Sequence, residues 1–189
     1  MKKLLVIALA TLMTTSLFAE VKKTYYKNGQ LKFERNYSHG KLSGRAYSFY
    51  ENGNLKIKAY FSRGLMEGLM IQYYESGRKK VEIPMHQGKY NGVEKIFYPS
   101  GQLMSVTKYD MDIKYGAKKV FYVDGRLKAK LYYNRNGILD GKIQEFYANG
   151  NKKLEIKINN GSIKQGTYYK RDGDRRRMTI ADYKVLVLS

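Results

Sequence analysis

Two interleaved ladders of glycine constrain this chain more than any other feature. Gly29, Gly53, Gly77, Gly101 and Gly125 stand 24 residues apart, followed by Gly150 and Gly173 at spacings of 25 and 23. A second series, Gly44, Gly68, Gly92, Gly116, Gly141 and Gly166, is spaced by 24 or 25. Two series kept in phase over most of the chain mean a tandem repeat. At this period each copy is one supersecondary unit that buries its apolar face only by stacking on its neighbours.

Each glycine of the first series closes a turn dipeptide: Asn28-Gly29, Asn52-Gly53, Ser76-Gly77, Ser100-Gly101, Asp124-Gly125 and Asn149-Gly150. Asn-Gly and Asp-Gly suit a two-residue type I′ turn, whose central residues both need positive φ. Ser-Gly suits it less, so those two loops are expected to differ. An aromatic pair precedes every turn: Tyr25-Tyr26, Phe49-Tyr50, Tyr73-Tyr74, Phe97-Tyr98, Phe121-Tyr122 and Phe146-Tyr147. Beyond the turn the chain alternates, with Leu31, Phe33 and Tyr37 against Lys32, Glu34 and Asn36, then Leu55, Ile57 and Phe61 against Lys56 and Lys58. A period of two belongs to strands with one apolar and one polar face. Of the two prolines, Pro99 falls in a turn, whereas Pro84 falls inside a predicted strand as a local misfit.

Residues 20–173 therefore read as about seven hairpin units, each a strand, a tight turn, a strand and a Gly-x-x-x-Gly link such as Gly40 to Gly44. The seventh, Tyr168-Tyr169-Lys170-Arg171-Asp172-Gly173, reads as carrying one extra turn residue before the pattern degenerates. The fold class is all-β: an elongated single-layer antiparallel sheet of tandem hairpins, about fourteen strands in all. Strand rise and spacing make such a sheet roughly 30 Å wide and 65 Å long.

The ends carry different expectations. Met1-Lys2-Lys3, an apolar run from Leu4 to Met13 and a polar stretch ending at Ala19 have the layout of a secretory signal peptide, with cleavage expected after Ala19. The run is about half the roughly twenty residues that span a bilayer. Export, to the periplasm or beyond, is the expectation. With no cysteine the chain is expected neither to be a lipoprotein nor to use disulfides. Residues 174–189 are expected to cap the array: Asp174-Arg175-Arg176-Arg177 is too charged to bury, and Val185 to Leu188 read as an apolar strand. Deleting residues 183–189 is expected to cause aggregation or proteolysis, because a terminal hairpin buries only one flank.

The unit Tyr-x-x-Gly-x-Leu, a strand, then Gly-x-x-x-Gly resembles the MORN repeat, specifically its bacterial variant, over about residues 21–173. Phe49-Tyr50-Glu51-Asn52-Gly53-Asn54-Leu55 carries the signature; Phe146 to Lys152 carries it with Lys152 in place of leucine, and Lys79 makes the same departure. The resemblance implies a scaffold of the kind that binds proteins or acidic lipid surfaces. Many bacterial variant-repeat chains bear an antitoxin label, which makes an antitoxin or immunity-type partner protein the alternative. A lipid-kinase activity is not implied, since the chain has no Gly-rich phosphate loop and no residues left over for a kinase domain.

Catalysis finds no candidates. His39 and His86 sit in different repeats at different phases and read as exposed loop residues. Asp110 with Asp112, where the fourth repeat lacks its mid-link glycine, and Asp172-Gly173-Asp174, which reads as a turn, are the only close carboxylate sets, and neither reads as a metal or acid–base site. Ser43, between Gly40 and Gly44, lacks the Gly-x-Ser-x-Gly spacing of a nucleophile elbow. No metal and no cofactor is expected.

One polar position does repeat its chemistry. The third residue after each turn glycine is Lys32, Lys56, Lys80, Met104, Lys128 and Lys153. A two-residue turn would pair these with the first aromatic of each pair and place the second aromatic on the face of Leu31, Leu55, Leu103 and Leu127; a change of one residue in turn length would invert this. The lysines then form a line about 10 Å apart, either a solvated face that keeps a one-layer sheet soluble or a candidate anion-binding surface. With a formal charge of +20 the expected partners are an anionic membrane surface, lipopolysaccharide or another polyanion, alongside a protein partner. Export argues against nucleic acid as the native ligand. An outer-membrane barrel is a third reading, opposed by the lack of a lipid-compatible strand face and of long loops.

Overall fold

The structure, a computed structural model, describes residues 19–178. The expected signal peptide and the apolar stretch from Val185 to Leu188 lie outside the described residues. Within them the chain has no helix. The first half supplies β1 (Glu20–Tyr25), β2 (Leu31–Ser38), β3 (Lys41–Phe49), β4 (Leu55–Ser62), β5 (Leu65–Tyr73), β6 (Lys79–His86), β7 (Lys89–Tyr90) and β8 (Gly92–Phe97). The second supplies β9 (Leu103–Asp110), β10 (Ile113–Phe121), β11 (Leu127–Tyr133), β12 (Gly141–Phe146), β13 (Lys152–Asn159), β14 (Ser162–Tyr169) and β15 (Arg175–Arg177). All belong to one open antiparallel sheet in sequence order, with the short β7 pairing β6 beside β8. The expected fold class is the observed one.

The turns are where the sequence reading fails, and the failure is systematic. At the first Asn-Gly the Tyr26 N–H donates to the Gln30 carbonyl at 2.8 Å, and the Gly29 N–H donates to the Tyr26 carbonyl at 3.0 Å. That is a three-residue loop, a type I turn through Lys27 and Asn28 closed by left-handed Gly29 at φ 84°. Asn28 does not adopt positive φ. Its Oδ1 instead accepts the Gln30 N–H at 3.0 Å, and Asn52, Asp124, Asn149 and Asp172 do the same two residues on. The Ser-Gly loops keep the same backbone, with Gly77 N–H donating to Tyr74 and Gly101 N–H to Tyr98. The seventh unit has no extra turn residue. Its Lys170 N–H and carbonyl make the same two bonds, to Asp174 and Gly173, so Lys170 occupies the place of the second aromatic.

The type I′ turns lie at the opposite edge. His39-Gly40, Arg63-Gly64, Gln87-Gly88, Met111-Asp112 and Asn160-Gly161 have both central residues at positive φ, and Ser38↔Lys41, Ser62↔Leu65 and Asp110↔Ile113 close two-residue hairpins around the first, second and fourth of these. Four of the five have a glycine at the second central position, which removes one of the two left-handed penalties. Past these turns most of the second glycine series lies at a bulge rather than a link, as at Gly44, Gly68 and Gly116, whereas Gly166 pairs in register with Ile156. A Cβ on Gly92, at φ 126°, would lie 2.9 Å from Pro84 Cγ. Pro84 is therefore no misfit: it stands opposite the bulge, where the ladder is already interrupted, and its carbonyl accepts the Asn91 N–H at 2.9 Å.

One face of the sheet holds the core. Partner registers such as Met70↔Ile83 and Ile143↔Ile156 bring apolar side chains together. Ile83, Met85 and Tyr109 form one buried cluster, against which Met66, Met70 and Val81 pack. Leu154, Ile156, Ile158 and Met178 form a second, near the C-terminal end. Fully burying such an aliphatic side chain stabilises the fold by about 1.5–3 kcal/mol, which is how a one-layer sheet without disulfides holds together.

A tyrosine ladder and its lysines

The three-residue loop decides which residues share a face. Tyr25 pairs with Leu31, Phe49 with Leu55, Phe97 with Leu103 and Phe121 with Leu127. The leucines thus accompany the first aromatic, not the second, and the expected faces are inverted. A bulge follows immediately, since Thr24 pairs with Phe33 and leaves Lys32 as the extra residue. The lysine side chain consequently turns to the second aromatic.

That second aromatic is always tyrosine, and its hydroxyl ties each unit to the next. Tyr26 donates to the Phe49 carbonyl at 2.8 Å, Tyr50 to Tyr73 at 2.8 Å, Tyr74 to Phe97 at 2.7 Å, Tyr98 to Phe121 at 2.8 Å, Tyr122 to Phe146 at 2.7 Å and Tyr147 to Tyr169 at 2.9 Å. The series stops where Lys170 replaces the phenol. At the opposite edge a second series runs through backbone N–H groups: Gly64 to Leu42 at 2.7 Å, Gly88 to Met66 at 2.8 Å, Asp112 to Tyr90 at 2.9 Å and Gly161 to Leu139 at 2.8 Å.

The lysines lie over the tyrosine rings. Lys32 Nζ is 5.1 Å from the Tyr26 centroid, Lys56 5.3 Å from Tyr50, Lys80 5.5 Å from Tyr74 and Lys128 5.6 Å from Tyr122. None of the four has a carboxylate partner among the described residues. Each ammonium is held by the ring quadrupole and keeps its charge uncompensated. Met104 interrupts the line as the sequence indicates. Lys153 leaves it: its Nζ pairs with Glu145 at 3.3 Å, and Arg171 from the following turn covers Tyr147 instead.

The two lysines that replace leucine, Lys79 and Lys152, are neutralised locally. Each bonds the glutamate three residues on, Glu82 at 2.6 Å and Glu155 at 2.9 Å. Those hydrogen bonds raise both ammonium pKa values. The polar groups considered for chemistry have structural partners. His86 Nδ1 meets Glu67 Oε1 at 2.7 Å while Glu67 Oε2 accepts the Gln87 N–H at 2.8 Å, and these contacts lower the Glu67 pKa, the backbone bond first. His39, next to Ser38 at 3.0 Å, occupies the left-handed position of a turn. Asp112 fills the place of the missing glycine, its Oδ1 accepting the Tyr90 N–H at 2.7 Å. Asp172 accepts the Asp174 N–H within its own turn. No three His, Cys, Asp or Glu side chains come together as a metal site among the described residues. Ser43 lies within β3 beside the bulge at Gly44.

Residue-by-residue reading missed a shallow cavity, widely open to solvent and of about 560 Å³, lined by Tyr132, Tyr133, Asn134, Asp140, Gly141, Lys142 and Gln144. It opens where β11 and β12 pair only through Ala129↔Glu145 and Lys130↔Gln144, with an isolated bridge at Tyr133↔Leu139. Here the far turn is not type I′ but a three-residue loop, with Gly137 N–H donating to its own Asn134 carbonyl at 3.1 Å. The 25-residue spacing from Gly125 to Gly150 was the trace of it.

Compared with known protein families, residues 21–39, 42–62, 66–87, 90–111 and 139–160 match the MORN repeat variant. The matched stretches stop at 111 and resume at 139, on either side of the irregular unit. No curated protein matches the chain in sequence.

Proposed function

The chain belongs to the MORN repeat variant family, and from that premise we propose that it is an exported, non-enzymatic scaffold that lies along an anionic surface. The repeat scaffold is the family's architecture; the anionic partner and the export are our reading. The observation that carries it is the placement of Lys32, Lys56, Lys80 and Lys128 over their tyrosines at 5.1–5.6 Å without a carboxylate partner among the described residues. A solubilising lysine needs no fixed seat, whereas these are preorganised on a common scaffold. Equivalent positions lie two strands apart, about 10 Å, close to a Debye length at physiological salt, so they repel one another only mildly. An acidic headgroup layer would meet several at once. Each such contact is worth about 1 kcal/mol, weak singly and sufficient together. Lys153, paired with Glu145, is left out of this set.

The test is co-sedimentation with anionic and neutral vesicles, and with lipopolysaccharide, at low and high salt. Salt-sensitive binding to the anionic surfaces is expected, lost when Lys32, Lys56, Lys80 and Lys128 are changed together to glutamine. Equal binding by that variant, or none by the wild type, would reduce the line to a solvated face and leave a protein partner, such as a cognate toxin, as the occupant to seek.

A further inference from the structure

The sheet's other face carries a charge arrangement that scaffolding does not explain. Lys119 stands directly opposite Lys130 across β10 and β11, and Lys142 directly opposite Lys157 across β12 and β13. Directly opposed residues have Cβ atoms about 4.5–5.5 Å apart, and like charges there destabilise a sheet. Lys130 pairs with Gln144, and Lys142, two residues before Gln144 on β12, lies on the same face just past the point where the two strands separate. The four ammonium groups thus gather across four consecutive strands. Lys119, Lys130 and Lys157 have no carboxylate partner among the described residues. Lys142 has only Glu155 at 3.9 Å, a carboxylate already shared by Lys152 and Gln144. Elsewhere among the described residues a directly opposed basic pair is Lys22↔Arg35, and there Glu20 takes Lys22 at 3.5 Å while Arg35 stacks on Phe33 at 4.2 Å.

Lys142 lines the cavity at the irregular unit, and Lys130 adjoins it through its partner Gln144, with Lys119 and Lys157 one strand further out on either side. Its wall offers the Tyr132 ring, which also carries Lys130 at 4.9 Å from its centroid, with the Gln144, Asn134 and Asp140 side chains. Asp140 Oδ1 already accepts the Gly141 and Asn160 N–H groups, each at 3.1 Å, so its carboxylate is anchored at the cavity's edge. An aromatic face, amide groups, an anchored carboxylate and several ammonium groups match a ring that bears both hydroxyls and a negative substituent.

We propose that this cavity binds an acidic saccharide, a sugar carrying sulfate, phosphate or carboxylate. Its anionic group sits between Lys119, Lys130 and Lys142, its ring lies against Tyr132, and its hydroxyls reach Asp140 and Gln144. The site is on the opposite face from the tyrosine ladder and stands or falls independently of it.

Isothermal titration of the full chain tests this with a sulfated uronate–glucosamine disaccharide, a phosphorylated glucosamine disaccharide, the uncharged disaccharide, sodium sulfate and single-stranded DNA. At least one charged disaccharide should bind, with the uncharged one and sodium sulfate at least about tenfold weaker, the loss expected when a charge-assisted contact or the sugar's own contacts are removed. The variant K119Q/K130Q should lose about tenfold or more, as should Tyr132→Leu, while the ladder variant at Lys32, Lys56, Lys80 and Lys128 keeps its affinity. Without ligand at low salt, K119Q/K130Q should melt above the wild type, and saturating saccharide should narrow that gap. Sodium sulfate binding as tightly as the saccharides, single-stranded DNA binding more tightly, or K119Q/K130Q binding the saccharide unchanged would each overturn the proposal.

Discussion

The first four units and the segment from 112 to 141 are built from the same hairpin, yet they are joined differently. In the regular units a tyrosine hydroxyl bridges one edge and a turn N–H bridges the other, and where β6 and β8 share only two residue pairs the ladder resumes past the bulge through β7. In the irregular segment Met111-Asp112 lacks a turn glycine, the next turn is one residue longer, and its Gly137 N–H bonds its own loop. The Tyr122 hydroxyl remains, but β11 and β12 separate beyond two residue pairs and a cavity opens. A stack of identical units presents a regular surface with its edges laced shut. The cavity at β11 and β12 and the directly opposed lysines beside it arise where one unit departs from its neighbours, because there adjacent hairpins no longer match.

The largest effect should come from the bulge glycines. Gly92→Ala places a Cβ against Pro84 in a backbone conformation that L residues rarely adopt, and should cost several kcal/mol, on the order of 3. Gly116→Ala, in the irregular segment, meets nothing within 4 Å at φ 67° and should cost about 1–2 kcal/mol. Urea unfolding midpoints for the two would erase the contrast if they coincided.

Removing tyrosine hydroxyls sharpens the comparison. Tyr50→Phe should lower stability by about 1 kcal/mol while unfolding stays a single transition. Tyr122→Phe takes a bridge from the unit that already lacks its turn bridge, so its unfolding should split into two transitions, with residues before and after the seam protected differently in hydrogen exchange. A single transition for both variants would mean that the strand ladder alone carries the coupling.

A smaller effect, of opposite sign, is expected at the irregular turn. Met111 sits at φ 47°, and Met111→Gly should gain up to about 1 kcal/mol, read as a raised melting temperature. The same change at His39 should gain about as much, so a gain at one site alone would point to a local role for that side chain.

The pH response should be smallest. Glu67 in the regular units and Asp124 in the irregular one both have lowered pKa values, Glu67 chiefly through the Gln87 N–H and Asp124 chiefly through Arg126. For a carboxylate whose folded pKa is depressed, the stabilisation is present above the unfolded value and lost as pH falls through the folded one. Acid melts should therefore show a loss below the usual carboxylate range that shrinks in Glu67→Gln and in Asp124→Asn. Added salt should weaken the Asp124 part more, since screening acts on its ion pair with Arg126 more than on a backbone hydrogen bond.

Much of the fold was legible before any coordinates. The glycine ladders, the aromatic pairs and the period-two alternation determined an all-β array of stacked hairpins, with turns at Gly29, Gly53, Gly77, Gly101, Gly125 and Gly150, because each is a local requirement that one residue type meets. The lysine line was legible too, as a repeated position, and so was its interruption at Met104. Lys153 was not, because Glu145, its partner, sits on the adjacent strand and follows no repeat.

What the tertiary structure decided was the phase. An Asn-Gly dipeptide satisfies a two-residue type I′ turn and a three-residue loop equally well, and the choice moves every side chain beyond it to the opposite face. The loop was settled by the tyrosines: only in the three-residue register does each hydroxyl reach the next unit's carbonyl, a contact between residues about 23 apart in the chain. Lys119 facing Lys130, and the cavity beside them, likewise depend on strands brought together by long-range register. A repeating sequence specifies its local unit many times over, but how one unit meets the next is a property of the pair.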